Sequence, residues 1–120
     1  MRVGVIGLGS MGMGAALSAL RAGLAVTGCD PRAAARDEFI AAGGAAVAKA
    51  SDLPDGLEAL VVLVVNAAQT EAAVFGPDGA APRMAKCGVI ISSATMAPDG
   101  ARALAAKADA AGLLYLDAPV

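Results

Sequence analysis

The chain has 120 residues, with 9 basic and 11 acidic side chains, no histidine and a net charge of −2. That inventory excludes His-based triads, His proton shuttles and most zinc sites, and with only 2% aromatic residues it offers nucleic acid neither a basic surface nor a stacking platform. At 17% charged and 58% hydrophobic, the chain is expected to fold as one domain around one core.

Short β-branched runs alternate with longer Ala-rich stretches. Arg2–Ile6 reads as a strand and Met11–Ala22 as a helix that stops at Gly23. Leu24–Cys29 reads as a second strand, followed by a helix over Pro31–Ala42 that Asp30 can cap. A short third strand is expected at Ala45–Val47 and a turn over Ser51–Gly56. Leu60–Val65, apolar on both faces, reads as a central parallel strand. A helix over Ala67–Phe75, a turn at Gly76–Gly79 and a helical turn over Ala81–Ala85 follow. Val89–Ser92 is the fifth strand, Pro98–Ala111 a helix, and Leu113–Leu116 the sixth strand. Six strands alternating with helices imply an α/β fold, a doubly wound parallel sheet of Rossmann type in strand order 3-2-1-4-5-6.

Mean hydropathy is high, at +0.67. The longest apolar run, Ala59 to Val65, still falls far short of the ~20 residues a spanning helix needs, so no membrane partner is expected. Gly7-Leu8-Gly9 interrupts the apolar stretch near the N-terminus where a secretory signal would have to be continuous. Cytoplasmic residence is expected, with Cys29 and Cys87 as reduced, buried thiols.

In a doubly wound sheet, ligands bind beyond the carboxyl ends of the strands, at the switch point between strands 1 and 4. The first strand runs into Gly7-Leu8-Gly9-Ser10-Met11-Gly12, a GxGxxG at the entrance to a helix. Gly7 suits the tight turn, Gly9 the approach of a pyrophosphate, and Gly12 close packing of helix on strand. Ser10 can bond a phosphate or cap the helix. Asp30, eighteen residues beyond Gly12, closes the second strand, where a carboxylate accepts the hydroxyls of an adenine ribose and repels a 2′-phosphate. That favours NAD over NADP, although Arg32 could pair with a 2′-phosphate. Asn66 and Gln69 after strand 4 either touch the cofactor or cap the next helix. The hydroxyls of Ser92, Ser93 and Thr95 after strand 5 offer hydrogen bonds to a ribose or a carboxamide, or helix caps.

These residues, together with Ser93-Ala94-Thr95-Met96-Ala97-Pro98 and the closing Asp117-Ala118-Pro119-Val120, resemble the β-hydroxyacid dehydrogenase family over the whole chain. Residues 10–18 and 63–69 are most similar to its L-threonate dehydrogenase branch. The resemblance implies oxidation of a small β-hydroxyacid or sugar acid by hydride transfer to NAD+. The cofactor contacts it implies fall on Leu8, Gly9, Met11, Asp30, Asn66, Ala67 and Thr95. It also implies a homo-oligomeric parent enzyme. In the family, DAPV runs into a substrate-carboxylate loop, a catalytic lysine and an all-helical domain, and no lysine here matches that motif. Residues 1–120 are therefore expected to be the NAD(P)-binding domain, with no catalytic residue of their own and no metal site. A free-standing NAD-binding regulatory module is the alternative. A decarboxylating sugar-phosphate dehydrogenase is a third reading, disfavoured by Asp30. An exposed apolar surface is expected where the helical domain would dock.

Overall fold

The computed structural model describes residues 1–93 and 97–117. The strands are β1 (Arg2–Ile6), β2 (Ala25–Cys29), β3 (Ala45–Val47), β4 (Leu57–Val62), β5 (Met84–Ser92) and β6 (Leu114–Asp117). The helices are α1 (Ser10–Arg21), α2 (Ala33–Ala41), α3 (Ala67–Phe75) and α4 (Pro98–Ala110). Single 3-10 turns occupy Ala50–Asp52 and Ala81–Arg83. All pairings are parallel and the order is β3-β2-β1-β4-β5-β6. The expected Rossmann topology is the observed one.

Side-chain alternation along the strands divides the core. Val3, Val5 and Val26 pack with Met13, Ala16 and Phe39 beneath α1 and α2. On the other face Leu57, Leu60, Val62 and Ile90 pack with Val74 and Ala108 of α3 and α4. On the first face Ala59 and Val61 of β4 pack against the cluster beneath α1 and α2, and among the described residues the same face of β6 is open. Val61, Ile91 and Leu116 lie in one row across the three strands, and Ala59, Val89 and Leu114 in another. Leu114 and Leu116 stand 59% and 56% exposed. These two leucines give β6 an exposed apolar patch.

Several boundaries differ from expectation. β4 runs over Leu57–Val62 instead of Leu60–Val65. Its ladder with β1 closes where Leu63 N–H reaches Ile6 C=O, because Gly7 then turns the first strand's chain away. Helix α2 starts at Ala33, with Arg32 as N-cap, so Asp30 does not cap it. Cys87 is exposed, not buried.

Cys87 lies in an irregularity of β5, which advances from Met84 to Val89 while β4 advances only from Leu57 to Ala59. Its φ is +64°, the one positive value outside glycine among the described residues. A Cβ in the left-handed region costs roughly 1 kcal/mol, and the exposed thiol has little packing to lose. Cys87→Gly is expected to stabilise the fold by about 1 kcal/mol at most. A thermal melt followed by circular dichroism, with no rise in Tm, would count against it.

Candidate functional site

The site is built where β1 meets α1. Gly7 sits at φ +95°, and a Cβ there would lie 2.4 Å from the carbonyl oxygen of Leu63. A Cβ on Gly12 would lie 1.6 Å from the carbonyl oxygen of Gly7, so the helix rests directly on the turn. Gly9 differs from both: it is the N-cap of α1, in ordinary extended conformation, and a Cβ there would meet nothing within 4 Å. Among the described residues nothing requires glycine at that position; the space above it belongs to the cleft.

Among the described residues no acceptor serves the N–H groups of Gly9, Ser10, Met11 or Gly12. The first intrahelical bond runs from Met13 N–H to Gly9 C=O, at 2.7 Å. Unpaired N–H groups and the positive end of the helix dipole therefore converge at one spot, which is what an anionic phosphate group needs. Ser10 is the first helical residue and makes no capping bond. Met11 is 53% exposed beside it.

A cleft of about 380 Å³ borders this loop, lined by Gly9–Gly12, Leu63, Val64, Val65 and Ser93. A second, of about 460 Å³, shares Gly9 and Leu63–Val65 and extends to Cys29, Asp30, Pro31, Arg32 and Gln69. The two form a trough from the end of β5, past the switch point, to the end of β2. An elongated ligand with an anionic middle fits that shape and donor set. None of Lys49, Lys86 and Lys107 lines either cleft; Lys107 pairs with Glu71, joining α4 to α3.

Asp30 closes one end. It is only 4% exposed, although charged. Its Oδ2 accepts from Leu8 N–H at 2.9 Å, and its Oδ1 from Arg32 N–H at 2.9 Å. The Arg32 guanidinium adds Nε to Oδ1 at 3.0 Å and Nη2 to Oδ2 at 2.9 Å. These bonds, Arg32's first and then those of the two backbone N–H groups, hold the carboxyl down at about 2 against the opposing effect of burial. The Cys29 thiol next to it is pushed up to about 11, by burial first and then by the negative charges of Asp30 and Asp52. It stays protonated at neutral pH.

A carboxyl whose pKa is lower folded than unfolded stabilises the fold above its unfolded value of 3.8, and that contribution is lost as pH falls through about 2. With the exposed guanidinium screened by solvent, the contribution is about 1–2 kcal/mol. The stability lead of the native protein over Asp30→Asn is expected to hold at neutral pH and vanish across that acid window. Denaturation of both proteins across the window checks it, and a constant lead would refute it.

At the end of β4, Asn66 is the N-cap of α3, its Oδ1 accepting from Gln69 N–H at 2.9 Å. Gln69 answers with Oε1 accepting from Val65 N–H at 2.8 Å. This reciprocal cap fixes the loop that forms the trough's floor, with Ala67 half-buried as the first residue of α3. Leu8 is buried over Gly28, and its N–H is engaged by Asp30. The structure thus brings Gly7–Gly12 and Asp30 together at the trough, whereas Asn66 and Ala67, which follow its Leu63–Val65 wall, line neither cleft. Thr95 lies outside the described residues. Sequence reasoning missed three things here: the closure of Arg32 on Asp30, the tie from Asp30 to Leu8, and the exposed apolar wall at Val65, 74% exposed.

Residues 2–120 match the family model described as the NAD binding domain of 6-phosphogluconate dehydrogenase. The chain belongs to that family. As a member of this NAD-binding family, it is 48% identical to the L-threonate dehydrogenase of Cupriavidus necator over 118 residues, covering 98% of this chain and 40% of that protein. It is 32% identical to the NAD-dependent L-serine dehydrogenase of Pseudomonas aeruginosa over 119 residues, covering 99% of this chain and 40% of that one. The crystal structure of 3-hydroxyisobutyrate dehydrogenase from Salmonella typhimurium superposes with a TM-score of 0.94 at 44% identity, over 100% of this chain and 42% of that one. The chain thus spans about 40% of the length of the curated relatives it matches. The resemblance to hydroxyacid dehydrogenases holds along the described fold, and the domain is one for a nicotinamide cofactor. Among the described residues no helix is long and apolar enough to cross a membrane.

Proposed function

We propose that this domain holds NAD, in preference to NADP, for a dehydrogenase that oxidises a small hydroxyacid or sugar acid resembling L-threonate. The observation that carries the reading is the trough itself: free N–H groups of Gly9–Gly12 at its middle and a buried carboxylate, Asp30, at one end. The pyrophosphate lies on the helix N-terminus, the adenine ribose at Asp30, and the nicotinamide toward Val65 and Ser93. When bound, the nicotinamide accepts a hydride. The chain's own part is to bind, to orient and to exclude water along the apolar wall of Leu63–Val65. In the parent enzyme that this reading implies, a proton-accepting lysine and a substrate loop complete the site, and a helical domain covers the exposed patch on β6 and makes the oligomer. Identity of 43–48% to four proteins named L-threonate dehydrogenase supports the substrate class.

The test is a titration with NADH and NADPH, read by cofactor fluorescence, on the native protein and on Asp30→Asn. Asn keeps an acceptor for Leu8 N–H, so the loop survives. Loss of charge-assisted bonds to the ribose is expected to weaken NADH binding roughly tenfold and NADPH binding less. Equal losses would remove the ribose contact from the proposal. No saturable binding to the native protein would remove the cofactor assignment.

A further inference from the structure

A carboxylate offers about four lone-pair positions, and in Asp30 each of the four faces a donor. Two donors are backbone N–H groups, of Leu8 and Arg32 at 2.9 Å each, fixed by the glycine loop and by the turn into α2. The other two belong to the Arg32 guanidinium, at 3.0 and 2.9 Å. That side chain is 63% exposed, against 5% for Asp30, and has no other acceptor among the described residues. Arg36 does not compete for the carboxylate; its Nη1 is held by the carbonyls of Asp30 and Pro31. So the backbone pair orients the carboxylate, and only the guanidinium pair can leave.

Two N–H donors side by side on the outer edge of a carboxylate match, in number and direction, the two hydroxyls of a vicinal diol. We propose that Arg32 is a specificity-determining residue that acts as a removable plug. In the free protein its guanidinium fills the edge of Asp30 that an adenine ribose needs, and it must swing out for NAD to bind. This rests on the reading above that Asp30 meets the ribose. While the pair is closed, Asp30 is neutralised and repels a 2′-phosphate little. Once open, the guanidinium is free to meet that phosphate. Arg32 therefore opposes NAD and assists NADP, and narrows the preference that Asp30 alone would set.

An arginine with a merely structural role would not shift the two cofactors in opposite directions. In fluorescence titrations, Arg32→Ala is expected to bind NADH about three- to tenfold more tightly than the native protein. It is expected to bind NADPH about tenfold more weakly. The NADH gain should disappear in the double variant Asp30→Asn with Arg32→Ala. In nitrogen-15 NMR of the native protein, the Arg32 Nε–H should lose its protection from solvent exchange when NADH saturates. Unchanged or weaker NADH binding by Arg32→Ala, beside saturable native binding, overturns the plug and leaves the cofactor reading standing. A gain that persists without Asp30, or an Nε–H that stays protected under saturating NADH, overturns it too. Absence of saturable binding in native protein and Arg32→Ala alike overturns both.

Discussion

Replacing Gly12 with alanine is expected to destabilise the protein by more than about 3 kcal/mol, a large share of the roughly 5–15 kcal/mol that holds a domain folded. The new methyl group would lie 1.6 Å from the Gly7 carbonyl oxygen. That oxygen cannot step aside: Gly7 is held by its own bond to Cys29 C=O and by contact with Leu63. Helix α1 would have to lift off β1, breaking the packing of Met13 and Ala16 on Val3 and Val5. Gly14, in the same helix, is the control, because a methyl group there would meet nothing within 4 Å. At that position alanine should be neutral or stabilise by up to about 1 kcal/mol, through helix propensity. With no tryptophan in the chain, denaturant titration followed by circular dichroism is the measurement. A Gly12→Ala protein as stable as the native one would mean that close contact of helix and turn is not what requires glycine there.

Gly9→Asp should do the reverse, leaving the fold intact and removing the binding. The position has φ −69° and open space around a Cβ, so aspartate fits. Aspartate is among the best N-caps and complements the helix dipole, adding about 0.5–1 kcal/mol of stability. The same carboxylate would take up N–H groups offered by residues 10–12 and put a negative charge where the pyrophosphate is to lie. Like charges brought together at a binding surface cost several kcal/mol, so NADH affinity should fall at least about a hundredfold. A melt and a cofactor titration on one preparation separate the two effects. Retention of NADH binding within a few-fold of native would show that the phosphates do not sit on this helix end.

The topology was legible because the β-branched runs, the alanine-rich stretches and the terminating glycines agree with one another. The strand order follows from that alternation and the handedness of crossovers. Boundaries were less legible where long-range partners decide them. Nothing local ends β4 at Val62; the departure of β1 at Gly7 does. Nothing local makes β5 begin at Met84 and bulge around Cys87. The glycine loop could be read from spacing, since Gly7 and Gly12 answer backbone constraints that the motif encodes and Gly9 leaves its space to the cleft. The state of Asp30 could not. Whether a carboxylate at a strand end faces solvent, caps a helix or binds a neighbour depends on side-chain geometry. Arg32, two residues on, was visible as a rival for phosphate, but its closure on the carboxylate was not. Asn66 and Gln69 had two readings, and of these the geometry displays the cap, with Asn66 and Gln69 each bonded to backbone at the approach to α3.

The bond from Leu8 N–H to Asp30 ties the glycine loop to the end of the neighbouring strand. A loop with three glycines would otherwise sample many backbone states, and a ligand arriving there would have to suppress them. Here one carboxylate removes that freedom when the chain folds, so the donors of Gly9–Gly12 stand in place beforehand. The entropy of ordering is thereby assigned to folding and not to association, and what remains to be rearranged at the trough's β2 end is a single arginine side chain.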